Sequence, residues 1–95
     1  MKKTVLVTGA SGEIGREIAK VFAKEGYKVA IHYNNNKKAA DELKALLLNN
    51  GAEAETFKAD LLNNEEVRSL AASVIEKMGR IDVLINNAGA SLIKP

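Results

Sequence analysis

The sequence predicts an α/β fold built on a parallel sheet, and three observations carry that prediction. Short apolar runs alternate with stretches of helical periodicity in the order βαβαβαβ. The first run, Val5-Leu6-Val7, is unbroken, as expected of a strand buried on both faces. A glycine-rich turn, Gly9-Ala10-Ser11-Gly12-Glu13-Ile14-Gly15, stands directly between that run and the first helical stretch.

The elements follow in order. Residues 3–8 form the first strand candidate and residues 12–25 the first helix, with Ile14, Ile18, Val21 and Phe22 on one face and Gly26 at its end. The second strand spans 28–33. Asn34, Asn35 and Asn36 follow it, and Asn36 is placed to cap a helix over 37–49. Ala39, Ala40, Leu43, Leu46 and Leu47 make that helix's apolar stripe, and the run Leu46 to Leu48 leaves one leucine for the surface. A third strand over 53–59 leads to Asp60-Leu61. Asn63 with Glu66 reads as a capping pair for a helix over 64–78, whose stripe is Val67, Leu70, Ala71, Val74, Ile75 and Met78. The fourth strand, 81–85, runs into Asn86-Asn87-Ala88-Gly89. The tail from Ala90 to Pro95 has no clear assignment.

Connections of this length admit helical crossovers, which are right-handed in parallel sheets. The expected strand order is 3-2-1-4, half of a doubly wound Rossmann fold with three helices. Ligands of such sheets bind beyond the C-terminal strand ends, here at the switch between the first and fourth strands.

Composition narrows the function classes. Ninety-five residues allow one domain, 46% hydrophobic and 27% charged. A net charge of +2 gives no argument for nucleic acid or an acidic membrane surface. There is no cysteine, hence no disulfide framework and no thiolate chemistry, which fits a cytoplasmic chain. The apolar run after Met1-Lys2-Lys3 is too short for a signal peptide or a membrane span. No metal-ligand cluster is present in the pattern.

The glycine turn is the chemically informative stretch. Glycines let the backbone turn sharply and approach a ligand closely. Unpaired N–H groups and the dipole at the new helix start favour an anion, so strand, turn and helix in this order open a dinucleotide-binding unit. The bland alternatives stand beside it. The turn could be tight without any ligand, Asp60 could simply open the turn after the third strand, and Asn86 and Asn87 could be plain turn formers. His32, the lone histidine, reads as a strand residue near the sheet's end. Lys37 and Lys38 read as a solvated helix start.

With these residues placed, the whole chain resembles the N-terminal part of a short-chain dehydrogenase/reductase, of the 3-oxoacyl-acyl-carrier-protein reductase type. The carriers are Thr8-Gly9-Ala10-Ser11-Gly12-Glu13-Ile14-Gly15, Asp60-Leu61 and Asn86-Asn87-Ala88-Gly89. The resemblance implies that 1–95 is a dinucleotide-binding half-domain, truncated relative to the family. Gly9 and Gly15, with the amides between them, would face the pyrophosphate. Ser11 would sit near the adenosine ribose, Asp60 would meet the adenine amine, and Leu61 would supply an amide. Asn87, Ala88 and Gly89 would lie along the nicotinamide-side ribose. With Gly12, Ile14, Tyr33 and Asn34 these make up the implied cofactor-binding set.

Two departures from the family pattern matter. The middle glycine of the family motif falls at Glu13, whose carboxylate would repel phosphates by about 1 kcal/mol if solvated. Either it points to solvent or the turn is re-registered around Gly12. The acid that selects NAD would fall at Tyr33, which is not acidic. That leans towards NADP, with Arg16, Lys37 and Lys38 as available phosphate partners and NAD as the weaker choice. The family's catalytic Ser, Tyr and Tyr-x-x-x-Lys lie past Pro95, so no turnover is expected from this chain. Tyr33 and Lys37 match the bare spacing but sit where the family binds adenosine.

Two functions remain open on the sequence. One is the NADP-binding segment of a carbonyl reductase. The other is an engineered or reconstructed half-fold that self-associates without activity. Either way the fourth strand is an edge and one sheet face has a single helix, so a homodimer is the expected partner state.

Overall fold

The apolar runs become four strands and the periodic stretches three helices: β1 (Thr4–Val7), α1 (Glu13–Lys24), β2 (Lys28–Tyr33), α2 (Lys37–Asn49), β3 (Ala54–Lys58), α3 (Asn64–Met78) and β4 (Val83–Ile85). The structure is a computed structural model and describes residues 1–88. The expected Gly89 contact and the tail lie outside the described residues. All pairings are parallel, in the order β3-β2-β1-β4. The expected order therefore holds, with β1 central and β4 at one edge.

Alternation along β1 and β2 divides the core. Val5 and Val7, with Val29, Ile31 and Tyr33, face α1 and α2 and meet Ala19, Ala40, Leu43 and Leu47. Leu6 and Ala30 face the other way and join Phe57 with Leu70, Val74 and Met78 of α3. This split follows from the two-residue period of a strand. The α2 stripe holds as expected, with Ala40, Leu43 and Leu47 buried and Leu48 left at the surface.

The stripe expected for α1 is corrected. Ile14 and Val21 are exposed, at 67% and 60%, and the inward face is Gly15, Ile18, Ala19 and Phe22. The cause is close packing at Gly15. A Cβ there would collide with the Gly9 carbonyl oxygen and stand 2.7 Å from both Ala10 Cα and Asn87 Nδ2. The helix seats on the turn through its one residue without a side chain, and that contact sets its rotation.

α3 shows a second difference. Leu70, Val74 and Met78 are buried, whereas Val67 and Ile75 on the same apolar stripe stay exposed, as does Leu84 of β4. One helix lies over β2 and β3 but does not extend over β4, so half of its stripe has nothing to cover.

The caps are specific. Asn36 Oδ1 accepts from the Ala39 N–H at 3.0 Å, and Asn63 Oδ1 accepts from the N–H groups of Glu65 and Glu66 at 2.9 and 3.1 Å. Glu66 does not return the bond to Asn63, as a reciprocal capping pair would. Its Oε1 accepts from the Asp60 N–H at 2.8 Å, while the Asn63 N–H goes to the Asp60 carbonyl.

At the N-terminal end of the sheet, Asp82 clasps β4 to β1. Its carboxylate accepts from the Thr4 N–H at 2.8 Å and from Arg80 Nε at 2.8 Å. The Arg80 bond first, then the Thr4 bond, holds the Asp82 carboxyl below its ordinary value.

Core and turn packing can be separated by substitution. Leu43→Ala is expected to cost about 2–5 kcal/mol in urea unfolding, and Val21→Ala no more than about 0.5 kcal/mol. Gly15→Ala should cost about 1–3 kcal/mol through overpacking. Gly12→Ala should be nearly neutral, because a Cβ there meets only the Gly9 carbonyl oxygen, at 3.5 Å. Equal losses at positions 12 and 15 would contradict this account of how α1 is seated.

Candidate functional site

The C-terminal strand ends enclose a cleft of about 860 Å³, within the size range of small-molecule sites. Its walls are the turn after β1 (Gly9, Ser11, Gly12, Glu13, Ile14), the end of β2 (His32, Asn34, Asn35, Asn36), the turn after β3 (Asp60, Leu61, Leu62) and the segment after β4 (Asn86, Asn87, Ala88). The cleft thus sits at the switch between β1 and β4, where the topology predicts it.

The turn is built around Gly9. Its φ is +64°, a left-handed conformation that glycine adopts without strain. A Cβ there would press on Ala88, with the nearest atom at 3.1 Å. The Gly9 N–H donates to His32 Nδ1 at 2.9 Å. The Gly9 carbonyl accepts from the Gly12 N–H and from Asn87 Nδ2, both at 3.1 Å. The Ala10 N–H reaches the His32 carbonyl at 2.9 Å.

Thr8 joins the turn to β4. Its N–H donates to the Ile85 carbonyl at 3.0 Å, and its hydroxyl oxygen accepts from the Ala88 N–H at 3.0 Å. That hydroxyl also lies 3.3 Å from both the Ile85 carbonyl and Asn86 Oδ1. Asn87 therefore ties the fourth strand to the glycine turn through its side chain.

Electrostatics at the head of α1 favour an anion. Gly12 is the N-cap, in extended conformation, with no side chain capping the helix. The first intrahelical bond runs from the Arg16 N–H to the Gly12 carbonyl. The N–H groups of Glu13, Ile14 and Gly15 precede it, as at any helix start. α2 and α3 close their first turns with Asn36 and Asn63, and α1 leaves its own open toward the cleft. Glu13 is the first residue of α1 and is exposed. The helix begins one residue after Gly12, which resolves the register of the turn.

On the opposite wall, Asp60 Oδ1 accepts from the Leu62 N–H at 3.0 Å. Asp60 thus opens the turn after β3 and lines the cleft as well. His32 is 2% exposed and stands between the two walls. Its Nε2 lies 2.8 Å from the Ala59 carbonyl oxygen and must carry the hydrogen, since Nδ1 accepts from Gly9. Burial pushes its pKa below the ordinary 6.5, and the bond to Ala59 offsets part of that.

The structure brings together Gly9, Ser11, Gly12, Ile14, Asn34, Asp60, Leu61, Asn87 and Ala88 of the expected set. Two members are elsewhere. Gly15 lies buried beneath the turn, against Gly9 and Ala10, and does not line the cleft. Tyr33 points into the core on the α1 and α2 side, at 6% exposure, because it shares strand parity with Val29 and Ile31. Lys37, a candidate phosphate partner, is paired with Asp41 at 2.7 Å. His32, Asn35, Asn36, Leu62 and Asn86 join the lining without having been expected there. The signal for His32 was its position at the end of β2, but its level against Gly9 needs the register of β1 on β2, in which Val7 faces Ile31.

Comparison with known proteins agrees with this geometry. The family model for short chain dehydrogenases matches residues 3–95. A 3-oxoacyl-[acyl-carrier-protein] reductase of Staphylococcus epidermidis is 40% identical over 89 residues, which is 94% of this chain and 36% of the relative. Glucose 1-dehydrogenase 2 of Bacillus subtilis is 37% identical over 87 residues, covering 92% of this chain and 34% of the relative. A dehydrogenase/reductase structure from Sinorhizobium meliloti superposes with a TM-score of 0.86 at 34% identity, covering 88% of this chain and 33% of that one. The chain spans about a third of the length of the curated relatives it matches. From the three-motif pattern, the 3-2-1-4 sheet and the family match, the chain belongs to the short-chain dehydrogenase family.

Proposed function

We propose that this chain is the dinucleotide-binding segment of a carbonyl reductase, with NADP as the preferred nicotinamide cofactor. The single observation that carries the reading is the uncapped head of α1, opening into the cleft at the switch of β1 and β4. In this reading the pyrophosphate sits against the amides of Ser11 and Ile14. The adenine lies toward Asp60 and Leu61, and the nicotinamide ribose toward Asn87 and Ala88. When bound, the nicotinamide supplies or accepts hydride. The residues here bind and orient it, and turnover is not expected from this chain alone.

The preference for NADP rests on what stands at the end of β2. Tyr33 is turned away, and the residues beside the cleft are Asn34, Asn35 and Asn36. No carboxylate from that segment waits for a ribose 2′-hydroxyl, which NAD-selective sheets use. The substrate is written elsewhere. Relatives named for a 3-oxoacyl carrier protein and for glucose both match this stretch at similar identity, so the stretch carries what they share.

A second reading is favoured by a specific feature. Val67, Ile75 and Leu84 are exposed on the α3 side, and β4 is an open edge. We propose that free chains pair through this region as homodimers, the state expected of a half-fold without activity of its own. Size-exclusion with light scattering should report a dimer at micromolar concentration. Leu84→Lys should return it to monomer, and a monomeric parent chain would dismiss the pairing.

Calorimetric titration with NADP⁺ and NAD⁺ tests the binding reading. NADP⁺ should bind more tightly, and absence of binding for both at millimolar cofactor would reject it. Glu13→Gly should raise the affinity for either cofactor about fivefold, the value of one solvated charge near the phosphates.

A further inference from the structure

We propose that His32 is a positioning residue for the glycine turn, holding the Gly9 peptide only while its ring is neutral, so that protonation of this ring loosens the cradle and weakens nucleotide binding. The ligand half of this statement rests on the dinucleotide reading above; the coupling of ring to turn does not.

The geometry leaves one arrangement of hydrogens. Nδ1 is 2.9 Å from the Gly9 nitrogen, and Nε2 is 2.8 Å from the Ala59 oxygen. A backbone N–H can only donate and a carbonyl can only accept. The ring is therefore neutral, with its hydrogen on Nε2. A proton added to Nδ1 would set N–H against N–H. The Gly9 donor would lose its acceptor in a part-buried site, where an unmet donor is costly. Gly9 does not shift alone, since its carbonyl, in the following peptide, receives Gly12 and Asn87. Displacing Gly9 displaces the start of the cradle and the β4 tie together.

The charged groups around the cleft are carboxylates. Glu13 comes from the head of α1 and Asp60 from the turn after β3, with Glu66 of α3 behind Asp60. Among the described residues, β1 and the segment after β4 contribute no charged residue to this lining. Tyr33 and Lys58, paired in register, belong to the opposite sheet face from His32. Burial keeps the ring neutral below the ordinary histidine range. The sign follows. The unfolded chain takes up the proton more readily, so the contribution of His32 to stability is present above pH 6.5 and is lost as the pH falls toward the folded value.

The test uses the 95-residue chain, in which His32 is the one histidine, so its ring resonances are unambiguous. NMR would follow those resonances, the Gly9 amide shift and Gly9 hydrogen exchange between about pH 7.5 and 4.5. The Gly9 amide should move, and lose protection, with the midpoint of the ring. NAD⁺ is the binding probe, because the 2′-phosphate of NADP⁺ itself titrates near about pH 6. Its affinity should fall about five- to tenfold over the ring's transition.

Two variants separate positioning from bulk. In His32→Asn the amide oxygen takes the place of Nδ1, so Gly9 keeps an acceptor that cannot titrate, and affinity should become flat with pH. In His32→Gln the amide reaches toward Ala59 and Gly9 is left without a partner, so affinity should be about five- to tenfold lower throughout. A Gly9 amide that ignores the ring titration in the parent chain overturns the proposal. So does a folded His32→Asn variant that keeps the parent's pH slope. A Gly9 response without NAD⁺ binding at any pH upholds the coupling and removes the dinucleotide reading instead.

Discussion

One residue, Gly9, is held from three directions through the two peptides that flank its Cα, and the rest of the site depends on it. Its N–H is received by His32 from β2, and its carbonyl is met by Gly12 from the turn and by Asn87 from beyond β4. Two segments far from the turn in sequence thus converge on one of its residues. Satisfying both backbone polar groups of a part-buried residue is a strong constraint. Here it fixes the level of the turn relative to two neighbouring strands. A positive φ at Gly9 and a missing Cβ at Gly15 are what allow the chain to fit into that knot.

The direction of the site follows. Parallel strands present all their C-terminal ends to the same side, and the 3-2-1-4 order parts the crossovers of β1 and β4 at the centre. α1 starts in that gap. Its first turn lacks a side-chain cap, whereas the asparagines at 36 and 63 serve that purpose for the other two helices. Sequence-local capping therefore distinguishes the two helices whose first turns an asparagine closes from the one whose first turn stays open at the cleft.

Much of this was legible in the residues. The bounds of α2 and α3 coincide with expectation, because Asn36 and Asn63 signal starts and the Leu43 and Leu70 stripes have clear periods. Parallel pairing followed from connection lengths, and the strand order from the doubly wound pattern. What could not be read locally was rotation and register. Ile14 and Val21 have the spacing of a core stripe, yet the contact at Gly15 turns them outward. Tyr33 looked like a cleft residue by family position, but strand parity sends it to the core. Glu66 was read as half of a local capping pair, and it instead fixes Asp60 across the turn. His32 was marked only as a strand residue near the sheet's end, since its role exists only once Val7 is aligned with Ile31.

The uncovered face and the cleft are structurally independent. None of Val67, Ile75 and Leu84 belongs to the cleft lining. The hold of β4 on β1 comes instead from paired backbone along Val5–Val7, from the Asp82 clasp at one end and from the Thr8 and Ala88 contact at the other. These bonds are made within the described residues and need nothing over Leu84. Pairing of chains through the α3 side would bury apolar area, which stabilises association by roughly 25 cal/mol per Å² before its entropic costs. It would leave the atoms around Gly9 where they are. The proposed self-association and the proposed nucleotide binding would thus draw on different surfaces, and a substitution such as Leu84→Lys that disrupts one should leave the other unchanged.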